Sequence, residues 1–136
     1  IGSGLVGSEM CIRDRNMNEL ATATRNNMAL VEVIINNQVL GMVRQWQTLY
    51  YEKRYSNTIL QDKVDYVKLA EAMGAVGMRV TRKEDLAEAI RKAIDLNTTV
   101  LIDCVIDSDD KVFPMVSPGA NIEDAFDAED LKTKEQ

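Results

Sequence analysis

Apolar residues along this chain recur with two alternating periods, and the alternation itself outlines a fold. Val31–Ile35 is β-branched and apolar apart from Glu32. The absence of polar alternation at Val33, Ile34 and Ile35 predicts a strand buried on both faces. From Gly41 to about Tyr50 the period changes: Met42, Val43, Trp46, Leu49 and Tyr50 recur at helical spacing and predict an amphipathic helix. Upstream, Met17, Leu20, Ala21 and Thr24 share a helical face that ends in the polar exit Arg25–Asn27. Downstream, Val64, Val67, Ala70 and Met73 line a short helix, and Gly74 stands where a C′ glycine belongs. Gly77–Val80 reads as a strand, and Thr81 with Glu84 as a capping box. Leu86, Ala89, Ile90, Ala93 and Ile94 give the clearest helical stripe, and Thr99–Ile106 is a last strand, apolar except for Asp103. The series strand, helix, helix, strand, helix, strand predicts an α/β sandwich with a largely parallel sheet.

Candidate chemistry first appears where Val31–Ile35 stops, at Asn36 and Asn37. Ligands of open parallel sheets bind beyond the carboxyl ends of strands. Two amides there offer carbonyl oxygens to a hard cation and N–H groups to an anion. The same pair also makes a plain turn, since asparagine tolerates the left-handed conformation. Both readings stand on local chemistry.

Composition narrows the choices. The 136 residues are enough for one domain with a real core, and the 46% hydrophobic content belongs to a globular chain. A net charge of −6 disfavours nucleic acid or an anionic membrane surface as partner. No apolar run approaches membrane-spanning length, and no cationic stretch leads into an apolar one near the start, so neither a spanning helix nor a secretory leader is expected. The two cysteines, Cys11 and Cys104, are too few for a disulfide framework, which fits a reducing, cytoplasmic setting. Histidine is absent, which excludes Ser-His-Asp and Cys-His catalysis and His-ligated zinc within these residues.

The two ends read differently from the middle. Gly2, Gly4 and Gly7 match Gly-x-Gly-x-x-Gly, but a dinucleotide loop needs a strand before it, and none is expected. Val6–Arg15 resembles a translated adaptor sequence, so Ile1–Arg15 is expected to be non-native and poorly ordered. Asp107, Ser108, Asp109 and Asp110 suggest calcium, but the sixth and twelfth positions of such a loop would be Val112 and Pro118 instead of Gly and Glu, so a solvated loop is expected. Val112–Ala120 is too rich in Pro and Gly for helix, and Asn121–Gln136 is an acidic tail with at most a short helix.

Asn16–Ala23, Ile34–Trp46 (Ile-Ile-Asn-Asn-Gln-Val-Leu-Gly-Met-Val-Arg-Gln-Trp), Tyr51–Ser56 and Val112–Val116 together resemble the large, catalytic subunit of the acetolactate synthase (acetohydroxyacid synthase) family. The resemblance runs from Asn16 to Ala120 and implies part of a thiamine-diphosphate-binding domain, a three-layer α/β sandwich with a mostly parallel sheet, truncated on its N-terminal side. It implies an enzyme that decarboxylates pyruvate and condenses the product with pyruvate or 2-oxobutanoate in branched-chain amino acid biosynthesis. It implies thiamine diphosphate and Mg²⁺ as cofactors, FAD in the full-length protein, a homodimer or larger assembly, and a regulatory small subunit. By resemblance, Asn37 through its side-chain oxygen and Val39 through its carbonyl ligate the magnesium. Gly41 and Met42 lie against the cofactor, and Trp46 lines the substrate channel. An ordinary core role on the stripe Met42–Val43–Trp46 remains the alternative for Trp46.

The departures matter as well. The family's Gly-Asp-Gly aspartate falls at Met10, whose thioether cannot replace a carboxylate toward magnesium, and Asp14 is in the wrong register. The family's catalytic glutamate and its FAD domain have no counterpart here, so no catalytic residue is expected in this stretch. Two readings follow: part of an acetolactate synthase, inactive alone, or a non-catalytic α/β binding or assembly module.

Overall fold

The four strands found among the described residues run parallel in one sheet, in the order β1-β2-β4-β3. They are β1 (Gly7–Ser8), β2 (Val31–Asn36), β3 (Val76–Val80) and β4 (Val100–Val105). This computed structural model describes residues 7–8, 17–60 and 64–134. The helices are α1 (Met17–Arg25), α2 (Gly41–Tyr50), α3 (Tyr66–Ala72), α4 (Lys83–Asp95) and α5 (Ala128–Lys134), the last preceded by a 3₁₀ turn at Ile122–Asp124. Since parallel strands need crossovers, α2 and α3 carry the chain from β2 to β3, and α4 carries it to β4.

The pleat of β4 divides the core in two. Leu101 points to the face covered by α1 and α3, where it packs with Leu20, Ile34, Tyr66, Ala70 and Ala75. Val100, Ile102 and Cys104 point the other way and pack with Val33, Val80 and Ala93, with Leu86, Ala89 and Ile90 of α4 laid over them. Helices on both faces of a parallel sheet give the expected three-layer α/β sandwich. Gly74 ends α3 with φ of +83°, the left-handed cap that glycine adopts without a Cβ clash.

Several details depart from the sequence pattern. Ile35 lies on the α4 face of β2 beyond the reach of α4 and is 42% exposed, so β2 is not buried throughout. Val64 precedes α3 and is exposed, while Tyr66, at 1% exposure, fills the core in its place. Thr81 and Glu84 form no capping box: α4 starts after Arg82, which pairs instead with Glu84 and Asp85. Ile94 rotates off the buried face and is 62% exposed. Within Ile1–Arg15, expected to be poorly ordered, Gly7 and Ser8 pair with Val33 and Ile34 of β2. The rest of that segment, including Met10, Cys11 and Asp14, lies outside the described residues.

Candidate active site at the carboxyl edge of the sheet

On the α3 face, the residues one pleat beyond the apolar core are Asn36, Asp103 and Arg79, at the carboxyl edges of β2, β4 and β3. Asp103 is 1% exposed. A buried carboxylate persists only with partners, and here both oxygens have one. Asn36 Nδ2 donates to Oδ1 at 2.9 Å and Arg79 Nε donates to Oδ2 at 3.1 Å. The Arg79 Nη2 also donates to Asp65 Oδ1 at 2.8 Å, and Asp65 caps α3 by accepting from the Lys68 N–H. The hydrogen bond to Asp103, and then that to Asp65, hold the Arg79 guanidinium above its ordinary pKa against the opposing pull of burial. These groups wall a cleft of about 380 Å³ together with Gln38, Val64 and Val105.

Beyond β2 the chain makes two consecutive Asx turns. Asn36 Oδ1 accepts from the Gln38 N–H at 3.2 Å, and Asn37 Oδ1 accepts from the Val39 N–H at 3.3 Å. Between them Gln38 sits at φ of +58°, a conformation that costs a non-glycine residue roughly 1–2 kcal/mol. The turn alternative for the asparagine pair is therefore present as geometry. Val39 then pairs with Ile59 in an isolated antiparallel bridge whose two ladder bonds are made by the Leu40 and Leu60 N–H groups. In such a non-hydrogen-bonded pair, the N–H and carbonyl of Val39 point away from the Ile59 segment. Thr58 Oγ1, next to that bridge, is buried and finds no hydrogen-bond partner among the described residues.

Gly41 opens α2, and a Cβ built there would meet Asn37 Nδ2 at 2.6 Å. The Asn37 amide thus packs into the space a side chain at 41 would take. Met42 and Trp46 lie further along α2, and with Val43, Gln47, Tyr51 and Arg54 they line a mainly apolar cleft of about 600 Å³. The Trp46 ring is tilted against Tyr50 with centroids 5.2 Å apart. The apolar stripe of α2 faces outward in this chain: Met42, Val43 and Tyr50 are all exposed and Trp46 is half-buried. The buried α2 side chain is Gln45, 3% exposed. Its Nε2 donates to the Val112 carbonyl and its Oε1 accepts from the Val112 N–H, both at 2.9 Å.

The acidic segment after β4 is tied to α2 as well. Arg44 Nε donates to Asp109 Oδ1 at 2.8 Å, and the guanidinium stacks 4.1 Å from the Tyr55 ring centroid. That hydrogen bond from Arg44 lowers the Asp109 pKa. Asp109 is therefore an ion-pair partner, not merely a solvated loop residue. No group of three or more His, Cys, Asp or Glu side chains placed to hold a metal occurs among the described residues. The structure thus joins Asn37, Val39 and Gly41 in one turn and Met42 with Trp46 in one cleft, with α2 linking the two. The sequence pattern flagged Asp103 only as the one charge in an apolar strand; it named neither Arg79 nor Gln45 as a partner-forming residue.

Residues 14–104 match the family described as thiamine pyrophosphate enzyme, C-terminal TPP binding domain. The chain belongs to this family. Among its relatives is the acetolactate synthase large subunit of Corynebacterium glutamicum, 43% identical over 124 residues, which cover 88% of this chain and 20% of that protein. The acetolactate synthase isozyme 2 large subunit of Escherichia coli is 41% identical over 106 residues, 78% of this chain and 19% of that one. The chain thus spans about a fifth of the length of these relatives. In fold it is similar to the thiamine diphosphate-dependent 4-hydroxybenzoylformate decarboxylase of Rhodococcus jostii RHA1, with a TM-score of 0.65 at 21% identity, over 75% of this chain and 19% of that one. As a TPP-binding domain it places its Asn-Asn turn at the carboxyl edge of a parallel sheet, where that fold class takes its ligands. Magnesium prefers octahedral oxygen ligation with one or two carboxylates, cofactor phosphates and water. The Asn37 amide oxygen and the Val39 carbonyl suit the neutral share of that shell.

Proposed function

We propose that this chain is the C-terminal TPP-binding part of an acetolactate synthase large subunit, and that Asn37 and Val39 supply two of its Mg²⁺ ligands. The observation that carries the reading is the turn itself. Among the described residues Asn37 Oδ1 accepts one 3.3 Å bond, from the Val39 N–H, which leaves a lone pair for a cation. Asn37 Nδ2 packs into the space a Cβ at Gly41 would take, so the amide is held at the turn. Identities of 41–43% to acetolactate synthase large subunits support the choice of enzyme within the family. Asn37 and Val39 hold the metal from one side, Gly41 and Met42 border the cofactor, and Trp46 shapes the apolar cleft through which the 2-oxo acids reach it. Bound thiamine diphosphate supplies the carbanion chemistry, its thiazolium acting as electron sink. The whole protein condenses pyruvate with pyruvate or 2-oxobutanoate in branched-chain amino acid biosynthesis. It carries FAD in another domain, assembles at least as a dimer, and works with a regulatory small subunit, with the cytoplasm as its expected compartment. No helix among the described residues is long and apolar enough to cross a membrane.

The clamp in this chain has one side. The aspartate expected opposite Asn37 falls at Met10 by resemblance, and the glutamate that activates the cofactor belongs to a separate domain. The 136-residue chain incubated with pyruvate, thiamine diphosphate and Mg²⁺ is expected to form no acetolactate. Titration calorimetry is expected to give an affinity weaker than low-micromolar, lost in Asn37→Ala. Turnover by the chain alone, or low-micromolar binding that survives Asn37→Ala, would overturn this reading in favour of a self-sufficient or differently sited module.

A further inference from the structure

We propose that Asp103 is a positioning residue for the cofactor turn, fixing through Asn36 the left-handed Gln38 that sets Asn37 and Val39 side by side. The inference rests on the reading of Asn37 and Val39 as metal ligands, but the geometry that carries it is separate. A continuous line of hydrogen bonds runs across three strands: Arg79 Nε to Asp103 at 3.1 Å, Asn36 Nδ2 to Asp103 at 2.9 Å, and the Gln38 N–H to Asn36 Oδ1 at 3.2 Å. The Asn36 amide can take this role only one way round. Its NH₂ faces Asp103, which as a carboxylate only accepts, so its oxygen is left for the Gln38 N–H. That bond falls on the residue with φ of +58°, the step at which the backbone leaves β2 and turns toward α2. The outer anchor is Asp65, which caps α3 and takes the Arg79 Nη2 at 2.8 Å.

Asp103 touches neither Asn37 nor Val39 through any of these bonds, so its effect on the ligands passes through Asn36 and Gln38. On the same face Leu101, two residues earlier, packs in the apolar core, whereas Asp103 lies beyond it among Asn36 and Arg79, the two groups its oxygens serve. The carboxylate makes sense as the group that orients Asn36. For the cofactor the consequence is preorganisation: the two neutral oxygens are held in place before metal arrives, and the ordering cost is met during folding instead of on binding.

The test is amide hydrogen exchange in the 136-residue chain, read at Gln38 and, as an internal reference, at the core amides of Ile34 and Leu101. Asn36→Asp alone sets two carboxylates against each other, and Asp103→Asn alone leaves one amide oxygen at 103 to accept from both Asn36 Nδ2 and Arg79 Nε, with an NH₂ facing one of these donors. Each should speed exchange at Gln38 by about tenfold or more relative to the core amides, the factor that corresponds to losing one partly buried hydrogen bond. The double exchange Asn36→Asp with Asp103→Asn reverses the donor and acceptor and should restore protection at Gln38 to within about threefold. Chemical-shift titration with Mg²⁺ and thiamine diphosphate, run on the same samples, should weaken in the single variants and recover in the double one. A merely structural pair would change core and turn amides together. Gln38 exchange that is unaltered in the single variants, or that stays fast in a folded double variant, overturns the proposal. Should the single variants fail to fold, the double variant decides alone by the same criterion. If the unaltered chain shows no cofactor-dependent shift at Asn37, the metal reading fails while the exchange result still judges the relay.

Discussion

Helix α4 lays Leu86, Ala89, Ile90 and Ala93 over the sheet, whereas α2, with an equally regular apolar stripe, turns Met42, Val43 and Tyr50 outward and buries Gln45. Periodicity states which residues share a face and leaves open what covers that face. For α4 the cover lies within this chain, in the strands on either side of it in sequence. For α2 it does not: the helix is anchored by polar bonds from Gln45 to Val112 and from Arg44 to Asp109, and its apolar side borders an open cleft. Under the proposed function that side meets cofactor, substrate and other parts of the enzyme, so its exposure here is the expected state of a site half.

The sharpest way to break this contrast is to place the same charge on both helices. Ala93→Asp, at a position 1% exposed, should cost about 3–5 kcal/mol, because an unpaired carboxylate would be buried. Val43→Asp, at a position 48% exposed, should change stability by less than about 0.5 kcal/mol. Urea denaturation midpoints decide, and comparable losses in the two variants would show that the α2 stripe is core after all. Next in size is Gln45→Ala, which strands the Val112 N–H and carbonyl and should cost about 1–3 kcal/mol. Gly41→Ala should move stability by no more than about 1 kcal/mol, since the gain in helix propensity offsets the crowding. Its methyl, set 2.6 Å from Asn37 Nδ2, should nevertheless displace the Asn37 side-chain amide resonances and weaken cofactor binding.

The smallest effect concerns pH. The Lys68 N–H, and then the Arg79 guanidinium, hold the Asp65 pKa below the ordinary carboxylate value, and Arg44 does the same for Asp109. A carboxylate whose folded pKa is depressed contributes stability that is fully present above its unfolded value near about 4 and is lost as pH falls through the folded value. Tm should therefore decline on acidification below about pH 4. Arg44→Gln should make that decline shallower without altering Tm near neutrality by much, because exposed ion pairs contribute little. A decline as steep in Arg44→Gln as in the unaltered chain would remove Asp109 from the account.

Much of the architecture was legible from local pattern. The bounds Gly41–Tyr50 for α2, the strand leading into Asn36 and the left-handed Gly74 all follow from signals a few residues long. What escaped depends on contacts distant in sequence. Gln45 turns inward because Val112, 67 residues away, offers it both a donor and an acceptor. Tyr66 displaces Val64 from the core because Asp65 caps α3 and the helix begins two residues later than the apolar spacing implies. The capping box is absent because the helix starts at Lys83 with Arg82 at the N-cap, which leaves Thr81 one residue outside the position a capping box needs. For the site, the Asn-Asn pair was visible as a motif, yet its dependence on Asp103 could be read only as a warning. A single charge inside an apolar strand needs partners, and nothing in the pattern says that they are Asn36 and Arg79.

The central claim is that the Asn37–Val39 turn receives a metal-bound diphosphate. Paramagnetic relaxation by Mn²⁺ in the presence of thiamine diphosphate, read on the amide resonances of the 136-residue chain, tests it most directly. The account predicts that broadening centres on Asn37, Gln38 and Val39, requires the cofactor, and disappears in Asn37→Ala. Broadening centred on Asp107–Asp110, or broadening that is the same with and without thiamine diphosphate, would contradict it.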